Sequence, residues 1–267
     1  MSDSPTRVAI YGAAGRMGTS LLENAAEDDA LQVVAALVHP DYRGPTRLGP
    51  QALEPLTTLE ELDDLEVDVL IDFSTPDAAL AAARYCEEYS IPFVSGTTGL
   101  SQDQLITFQE LSRQIPLLHA ANFSVGVNLL SHLVERAAQG IGEDVDIEIF
   151  EAHHRRKVDA PSGTALLLGE AAARGRDLNL EEVALLSREG HTGPRPSEAI
   201  GFQVLRGGDI VGEHTVYFCI QGERLELTHR ATDRGIFARG ALRAARWLSG
   251  RRPGRYEMAD VLFSKLR

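Results

Sequence analysis

Arg7-Val-Ala-Ile-Tyr-Gly-Ala-Ala-Gly-Arg-Met-Gly18 is the stretch from which the rest of the chain is read. Arg7 to Tyr11 is a short apolar run of strand type, and glycines at 12, 15 and 18 follow it at once. Leu21, Leu22, Ala25 and Ala26 then recur at helical spacing. Strand, glycine turn and helix in that order form the context in which a glycine fingerprint means dinucleotide binding. Gly12 permits the tight turn, Gly15 lets a pyrophosphate approach the backbone, and Gly18 allows close helix–strand packing. The spacing Gly-x-x-Gly-x-x-Gly departs from the usual Gly-x-Gly-x-x-Gly, so the pattern alone is weak. Its place after a strand and before a helix favours a cofactor turn over an ordinary βα turn.

Working outward, Leu31–Val38 reads as a second strand and Asp41–Pro55 as an irregular connection. Val67–Phe73 is a mostly apolar strand of the buried parallel kind. Ser74-Thr-Pro-Asp77 starts a helix running to about Glu88. Ile91–Ser95 is the next strand, Ser101-x-x-Gln104 a capping box, and Ile115–His119 a fifth strand. Strands alternating with helices imply a right-handed, doubly wound parallel sheet of Rossmann-like type. Ligands bind beyond the carboxyl ends of such strands. Gly12, Phe73-Ser74-Thr75, Gly96-Thr97-Thr98 and Ala120-Ala121-Asn122-Phe123 all fall on that edge. Each alone is an ordinary loop; their coincidence at successive strand ends points to a cofactor. An acidic residue usually closes the second strand to hold the ribose diol of NAD, whereas here Val38-His39-Pro40 stands in its place. His39, Arg16 and Arg43 are instead suited to face a 2′-phosphate. The cofactor expected is therefore NADPH or NADH, with NADPH used at least as well. His39 as a plain exposed strand-end residue is the alternative.

The totals narrow the partners. The chain has 267 residues and a net charge of −13, which argues against nucleic acid or an anionic membrane surface. No apolar run approaches membrane-spanning length, and the first seven residues lack an apolar signal core. Cys86 and Cys219 lie far apart without metal-ligand spacing and are read as reduced, buried thiols, consistent with a cytoplasmic protein.

The second decisive stretch is Glu151-Ala-His-His-Arg-Arg-Lys-Val-Asp-Ala-Pro-Ser-Gly-Thr-Ala165. It lies between an alternating, strand-like run, Asp146–Phe150, and a run of good helix formers, Ala165–Arg174. His153, His154, Arg155, Arg156 and Lys157 crowd cationic and proton-bearing groups into an acidic chain. The helix start at Pro161–Thr164 adds backbone donors suited to an anion. Together they describe a pocket for a small, multiply anionic substrate with proton donors at hand. A solvated basic loop with ordinary Ser capping is the competing reading. The two histidines share a pocket only if the strand ends there.

This stretch resembles the signature of the 4-hydroxy-tetrahydrodipicolinate reductase (dihydrodipicolinate reductase) family of bacterial diaminopimelate and lysine synthesis. The resemblance spans nearly the whole chain. It implies hydride reduction of a cyclic dicarboxylate by NADPH or NADH, with His153 as general acid/base and Lys157 as proton donor. It further implies that His154, Ser162, Gly163 and Thr164 bind the substrate carboxylates. Gly12, Ala13, Ala14, Gly15, Arg16, Met17, His39, Phe73, Gly96, Thr97, Thr98, Ala120, Ala121, Asn122 and Phe123 line the cofactor cleft on the same grounds, with Arg234 and Phe237 near its mouth. Family members often carry Glu-Arg where His39-Pro40 stands. Arg155 and Arg156 are assigned to the electrostatic background, and no metal site is implied. The family is typically tetrameric, so a homotetramer is expected.

Residues 1–122 with 235–267 are thus expected to form the dinucleotide-binding domain, and 123–234 an α+β substrate and oligomerisation domain with an open mixed sheet. Within it, Leu129–Ala138 reads as a helix and Leu178–Pro196 as a flap or, better suited by composition, a surface connection. Gly201–Leu205, Asp209–Val211, His214–Ile220 and Glu223–Thr228 read as strands. His214 and His229 fit satisfied structural histidines. A last helix follows Asp233–Phe237 to about Leu248, with Trp247 in the core, and the tail after Arg251 carries no reading. A different dehydrogenase of the same architecture, acting on an amino acid or its semialdehyde, is one alternative, against which the His-His-x-x-Lys and Pro-Ser-Gly-Thr stretch argues; a non-catalytic NADPH sensor is another, which would have little use for paired proton donors.

Overall fold

A computed structural model describes residues 4–142 and 144–264. Residues 1–3, which begin the segment lacking a signal core, and 265–267 in the tail lie outside the described residues. In chain order the first elements are β1 (Thr6–Tyr11), α1 (Arg16–Ala25), β2 (Leu31–Leu37), β3 (Pro55–Leu56), β4 (Val69–Asp72) and α2 (Pro76–Glu88). Next come β5 (Phe93–Ser95), α3 (Gln102–Leu111), β6 (Pro116–His119), α4 (Val125–Gly140), β7 (Asp146–His153) and α5 (Gly163–Gly175). The chain continues through α6 (Leu180–Val183), β8 (Ala184–Leu185), β9 (Ile200–Arg206), β10 (Gly212–Ile220) and β11 (Glu223–Ala231). It ends with α7 (Gly235–Leu248), β12 (Gly254–Tyr256) and α8 (Met258–Phe263).

The chain divides into two compact units, with boundaries at Val125/Gly126 and Arg234/Gly235. The first holds a seven-stranded sheet in the order β12-β6-β5-β4-β1-β2-β3, every pairing parallel. Two apolar layers cover it. Leu21, Leu22 and Ala25 of α1 and Ala241, Leu242 and Leu248 of α7 pack on one face against Val8, Ile10 and Ile71. On the other face Ala79, Ala83 and Cys86 of α2 and Phe108 of α3 pack against Ala9, Leu70 and Phe93. The order of the chain reverses between β1 and β4, so that pair opens the crevice in which such sheets bind nucleotides.

The second unit is a five-stranded mixed sheet, β11-β10-β7-β9-β8. β10 is antiparallel to β11 and β7, while β7 and β8 both run parallel to β9. Period-two alternation gives β7 a buried face through Ile147, Ile149, Glu151 and His153. Leu130 and Val134 of α4 and Leu168 and Ala172 of α5 cover that face. Glu148, Phe150, Tyr217 and Cys219, on the alternate positions, are only half-buried.

Several expectations need correction. Asp209–Val211 is not a strand but part of the turn between β9 and β10, where Gly208 takes φ +51°. Only Ile210 and Val211 carry an apolar signal there, and the turn geometry overrides it. The tail after Arg251 is not featureless: β12 extends the parallel sheet beside β6 and α8 buries Met258 and Val261. Its strand is three residues long, too short for a period to appear. Pro55, placed in the irregular connection, belongs to edge strand β3. Trp247 sits at the core margin, half-buried, its ring edge-on to Tyr256 at 5.2 Å and under the Arg251 guanidinium at 4.1 Å. Cys86 is buried and Cys219 only half-buried, both free thiols. The segment after β8 is a surface connection tied down by Arg188 and Arg195, which donate to Glu148.

Candidate active site

The cofactor-type residues of the first unit gather around the β1–β4 crevice. Gly12 adopts φ +82°, and a Cβ there would stand 2.4 Å from the Phe73 carbonyl oxygen at the end of β4. A Cβ on Gly18 would stand 2.3 Å from the Gly12 carbonyl oxygen, so turn and helix meet backbone to backbone. Gly15 caps α1 without any side-chain hydrogen bond, and no acidic residue lies in the first turn. Ala14, Gly15 and Arg16 are exposed, while Ala13 is buried under the turn and Met17 packs on the core. An uncapped, unobstructed helix start is the arrangement that takes a diphosphate, so these residues fit a dinucleotide. The hydride it carries when bound is the chemistry it would supply.

A buried carboxylate organises the neighbouring loops. Asp72, fully buried, accepts from Ser95 Oγ at 2.7 Å, Thr97 Oγ1 at 2.8 Å and Ser74 N at 3.0 Å, and also from the Ser74 hydroxyl. Burial pushes its carboxyl above the usual range, with the Ser74, Ser95 and Thr97 bonds opposing. The Phe73–Ser74 and Gly96–Thr97 segments are thereby tied to one group. Gly96 lies flat against the Phe73 ring, 2.1 Å from where its Cβ would be, and Phe73 packs on Phe123 with ring centroids 5.5 Å apart. Ala120 N donates to Ser95 O at 3.1 Å, and Asn122 Oδ1 accepts from Ser124 N at 2.8 Å. Thr98 and Ala121 are exposed. His39 stands just past β2, 77 % exposed, its Nδ1 accepting from Asp41 N at 3.1 Å. Arg43, equally exposed, lies 3.9 Å from Asp41.

The second unit places the signature stretch at the end of β7. The strand runs through His153 and stops there, so His153 points to the buried face and His154 falls in the following loop. His153 Nδ1 lies 2.6 Å from Glu151 Oε2. Glu151 also accepts two bonds of 2.7 Å from Arg206 and one of 3.0 Å from Ser162 N. Burial works to raise the Glu151 carboxyl, but the Arg206, His153 and Ser162 donors outweigh it and hold it below the usual range. Burial likewise lowers His153 below the ordinary imidazole value, and the Glu151 hydrogen bond and charge only partly compensate. Lys157 Nζ is held by Asp159 at 2.7 and 2.8 Å. The Ala160–Pro161 peptide that follows is cis.

Ser162 caps α5: its Oγ accepts from Ala165 N at 3.1 Å and lies 3.0 Å from His214 Nε2. The residue is buried, so its polar atoms serve protein partners. Gly163 is exposed with open space over it, Thr164 is half-buried, and no acidic residue occupies the first turn. A carboxylate can therefore approach the helix start. His154 Nδ1 is buried without a hydrogen-bond partner. Arg155 and Arg156 are exposed.

His214 and His229 are not the satisfied pair expected, since Nδ1 of each is buried without a partner. The His214 ring meets His153 edge-on at 5.1 Å, and burial drives its pKa down to about 4. Glu151, Arg206 and His214 thus belong to the site although the sequence reading assigned them no part. Glu151 was legible: two residues from His153 on a strand, it shares the same face. Arg206 and His214 come from distant strands and carried no local signal. Among the described residues no three His, Cys, Asp or Glu side chains form a metal-holding group.

Comparison with known proteins places this arrangement. The family model described as dihydrodipicolinate reductase, N-terminus, matches residues 6–123, and that described as dihydrodipicolinate reductase, C-terminus, matches residues 126–262. The 4-hydroxy-tetrahydrodipicolinate reductase of Acinetobacter baumannii (strain AYE) is 50% identical over 273 residues, covering 98% of this chain and 97% of its own. That of Pseudomonas fluorescens (strain Pf0-1) is 49% identical over 266 residues, covering 96% and 98%. The dipicolinate-bound dihydrodipicolinate reductase from Paenisporosarcina sp. TG-14 has the same fold, with a TM-score of 0.80 at 23% identity over 96% of this chain and 98% of that one. With both halves matched in order and close relatives aligned from end to end, the chain belongs to the dihydrodipicolinate reductase family.

Proposed function

We propose that this chain reduces 4-hydroxy-tetrahydrodipicolinate to tetrahydrodipicolinate in diaminopimelate and lysine biosynthesis, using NADPH or NADH. The observation that carries the reading is the grouping of His153, Lys157 and the open start of α5 on one short segment, beside which no acidic first-turn residue repels a carboxylate. The relatives' names give the substrate class, and the dipicolinate bound to the Paenisporosarcina protein is a dicarboxylate of that kind.

Each turnover consumes one hydride and one proton and releases one water. Hydride arriving at a conjugated C=C–C=N system leaves negative charge on carbon or nitrogen, so a proton donor must stand nearby. His153 acts as general acid/base and Lys157 as proton donor, with Asp159 holding the Lys157 ammonium in place. Gly163 and Thr164 hold one substrate carboxylate at the helix start, and His154 contacts the other. Ser162 contributes by shaping that helix start. In the first unit Gly12–Met17 hold the pyrophosphate, and Phe73, Gly96–Thr98 and Ala120–Phe123 flank the nicotinamide half.

His39, Arg16 and Arg43 favour the 2′-phosphate, so kcat/KM for NADPH is at least that for NADH; a strong NADH preference refutes this point. The working state is a cytoplasmic homotetramer, for which the half-exposed sheet face of the second unit offers the surface. The deciding experiment adds freshly formed condensation product of pyruvate and aspartate semialdehyde together with NADPH and follows loss of nicotinamide absorbance. Substrate-dependent oxidation that disappears in His153→Ala supports the assignment. NADPH binding without oxidation overturns it.

A further inference from the structure

Which nitrogen of His153 exchanges the proton is set by the hydrogen bonds around Glu151. The Glu151 carboxylate is 1% exposed, and its two oxygens meet four nitrogens: His153 Nδ1, both terminal nitrogens of Arg206, and Ser162 N. A carboxylate has about four lone-pair sites and only accepts, so these partners fill it. Arg206 and a backbone amide cannot be anything but donors, and their presence keeps the carboxylate ionised. The proton in the 2.6 Å contact therefore belongs to His153 Nδ1. In the neutral ring the lone pair then sits on Nε2 alone.

The far edge of the ring has a matching feature. Nε2 lies against Gly212, the first residue of β10, where a Cβ would stand 3.0 Å from it and 3.4 Å from Cδ2. Gly212 does not have a positive φ, so the backbone does not demand glycine; an added Cβ would instead press on the imidazole edge. The other groups facing the ring are Lys157, Arg206 and the edge-on His214, besides Glu151 itself. Lys157 and Arg206 are cations, and His214 stays neutral because it is buried, so among these groups Glu151 alone offers His153 a stabilising charge.

We propose that Glu151, clamped by Arg206 and the Ser162 amide, is a positioning residue that locks His153 as the Nδ1–H tautomer, so that the reaction's proton passes at Nε2, and that Gly212 keeps that edge clear. This rests on the reductase reading for its catalytic consequence but not for its structural one. The arrangement parallels the orienting carboxylate behind a catalytic histidine in serine hydrolases, where an amide in its place fixes the wrong tautomer and lowers kcat about 10⁴-fold.

The test uses the full chain labelled with ¹⁵N at histidine, and Glu151→Gln and Gly212→Ala variants of it. In the parent protein the His153 ring shows the Nδ1–H pattern near neutral pH. Glu151→Gln, which cannot act as a pure acceptor, shifts the ring to Nε2–H or a mixture and lowers kcat by about 100-fold or more, while KM for the dicarboxylate and the Kd of NADPH move by less than about threefold. A merely structural Glu151 would change KM, Kd and the melting curve without a tautomer change. Gly212→Ala keeps the Nδ1–H pattern yet lowers kcat, which separates an obstructed edge from a lost orienter. A parent ring in the Nε2–H form, or a Glu151→Gln enzyme within about threefold of parental kcat, overturns the proposal. A parent protein that binds NADPH but turns over no dicarboxylate refutes the reductase reading instead, and the tautomer spectrum still decides the structural part.

Discussion

Gly12 and Gly99 form a built-in control for what the glycine turn does. Both occupy the left-handed region, at φ +82° and +80°, but a Cβ on Gly12 meets the Phe73 carbonyl oxygen at 2.4 Å whereas one on Gly99 meets nothing within 4 Å. Replacing either by alanine incurs the left-handed penalty of about 1–2 kcal/mol. Gly12→Ala adds a clash with backbone that cannot easily retreat, because Phe73 N donates to Tyr11 O at 3.0 Å and Gly12 N and Ala13 N both donate to Leu37 O. Overpacking of this kind costs about 1–3 kcal/mol, so Gly12→Ala should destabilise by roughly 2–5 kcal/mol. At about 2–4 °C per kcal/mol for a unit of this size, its Tm should fall several degrees below that of Gly99→Ala. Differential scanning calorimetry of the two variants against the parent measures this directly. NADPH titration by fluorescence should also show weakened binding in Gly12→Ala. Equal melting temperatures, to within about 1 °C, would refute the claim that Gly12 is dictated by the approach of Phe73 rather than by its own torsion.

The remaining expectations concern the second unit and the thiols. Lys157→Ala should lower kcat by about 10²-fold or more, while Thr164→Ala should act mainly on KM; steady-state kinetics with parental turnover in Lys157→Ala would remove that residue from the mechanism. Arg195→Ala takes donors from Asp146, Glu148, Ile147 O and Ala199 O at once, and urea unfolding should show a loss of roughly 1.5–3 kcal/mol. Glu148 opposes burial with bonds from Arg188, Arg195 and Gln203 that hold its carboxyl below the usual range. Its stabilising contribution is therefore present above the unfolded-state carboxylate value and disappears as pH falls through the folded one. Acid unfolding should begin at higher pH in Arg195→Ala than in the parent, and coincident acid limbs would contradict this. A thiol reagent should reach Cys86 only after unfolding, since Cys86 is buried and its thiol is pushed well above the ordinary value; fast native labelling of Cys86 would refute that burial.

What the sequence determines by itself is whatever depends on neighbours a few residues apart. The glycine turn after Arg7–Tyr11, the capping box at Ser101 and Gln104, and the alternation of Asp146–Phe150 are short-range patterns. They fix strand, cap and buried face before any tertiary contact exists. The same logic reaches His153 and the start of α5, because a strand end, a charge cluster and a Ser cap follow each other in the chain. Tertiary structure alone decides which strands become neighbours. β12 joins the sheet through three residues whose pattern is too short to announce them, and Trp247 is left at the core margin because Tyr256 and Arg251 cover it. It also decides what surrounds Glu151 and His153. Arg206 reaches it because β9 lies parallel to β7 with His153 opposite Arg206, and His214 because β10 lies antiparallel on the other side with His214 opposite Glu151. Hydrogen bonds across a sheet depend on register between segments fifty or more residues apart, and nothing in the local sequence of any one strand encodes that register.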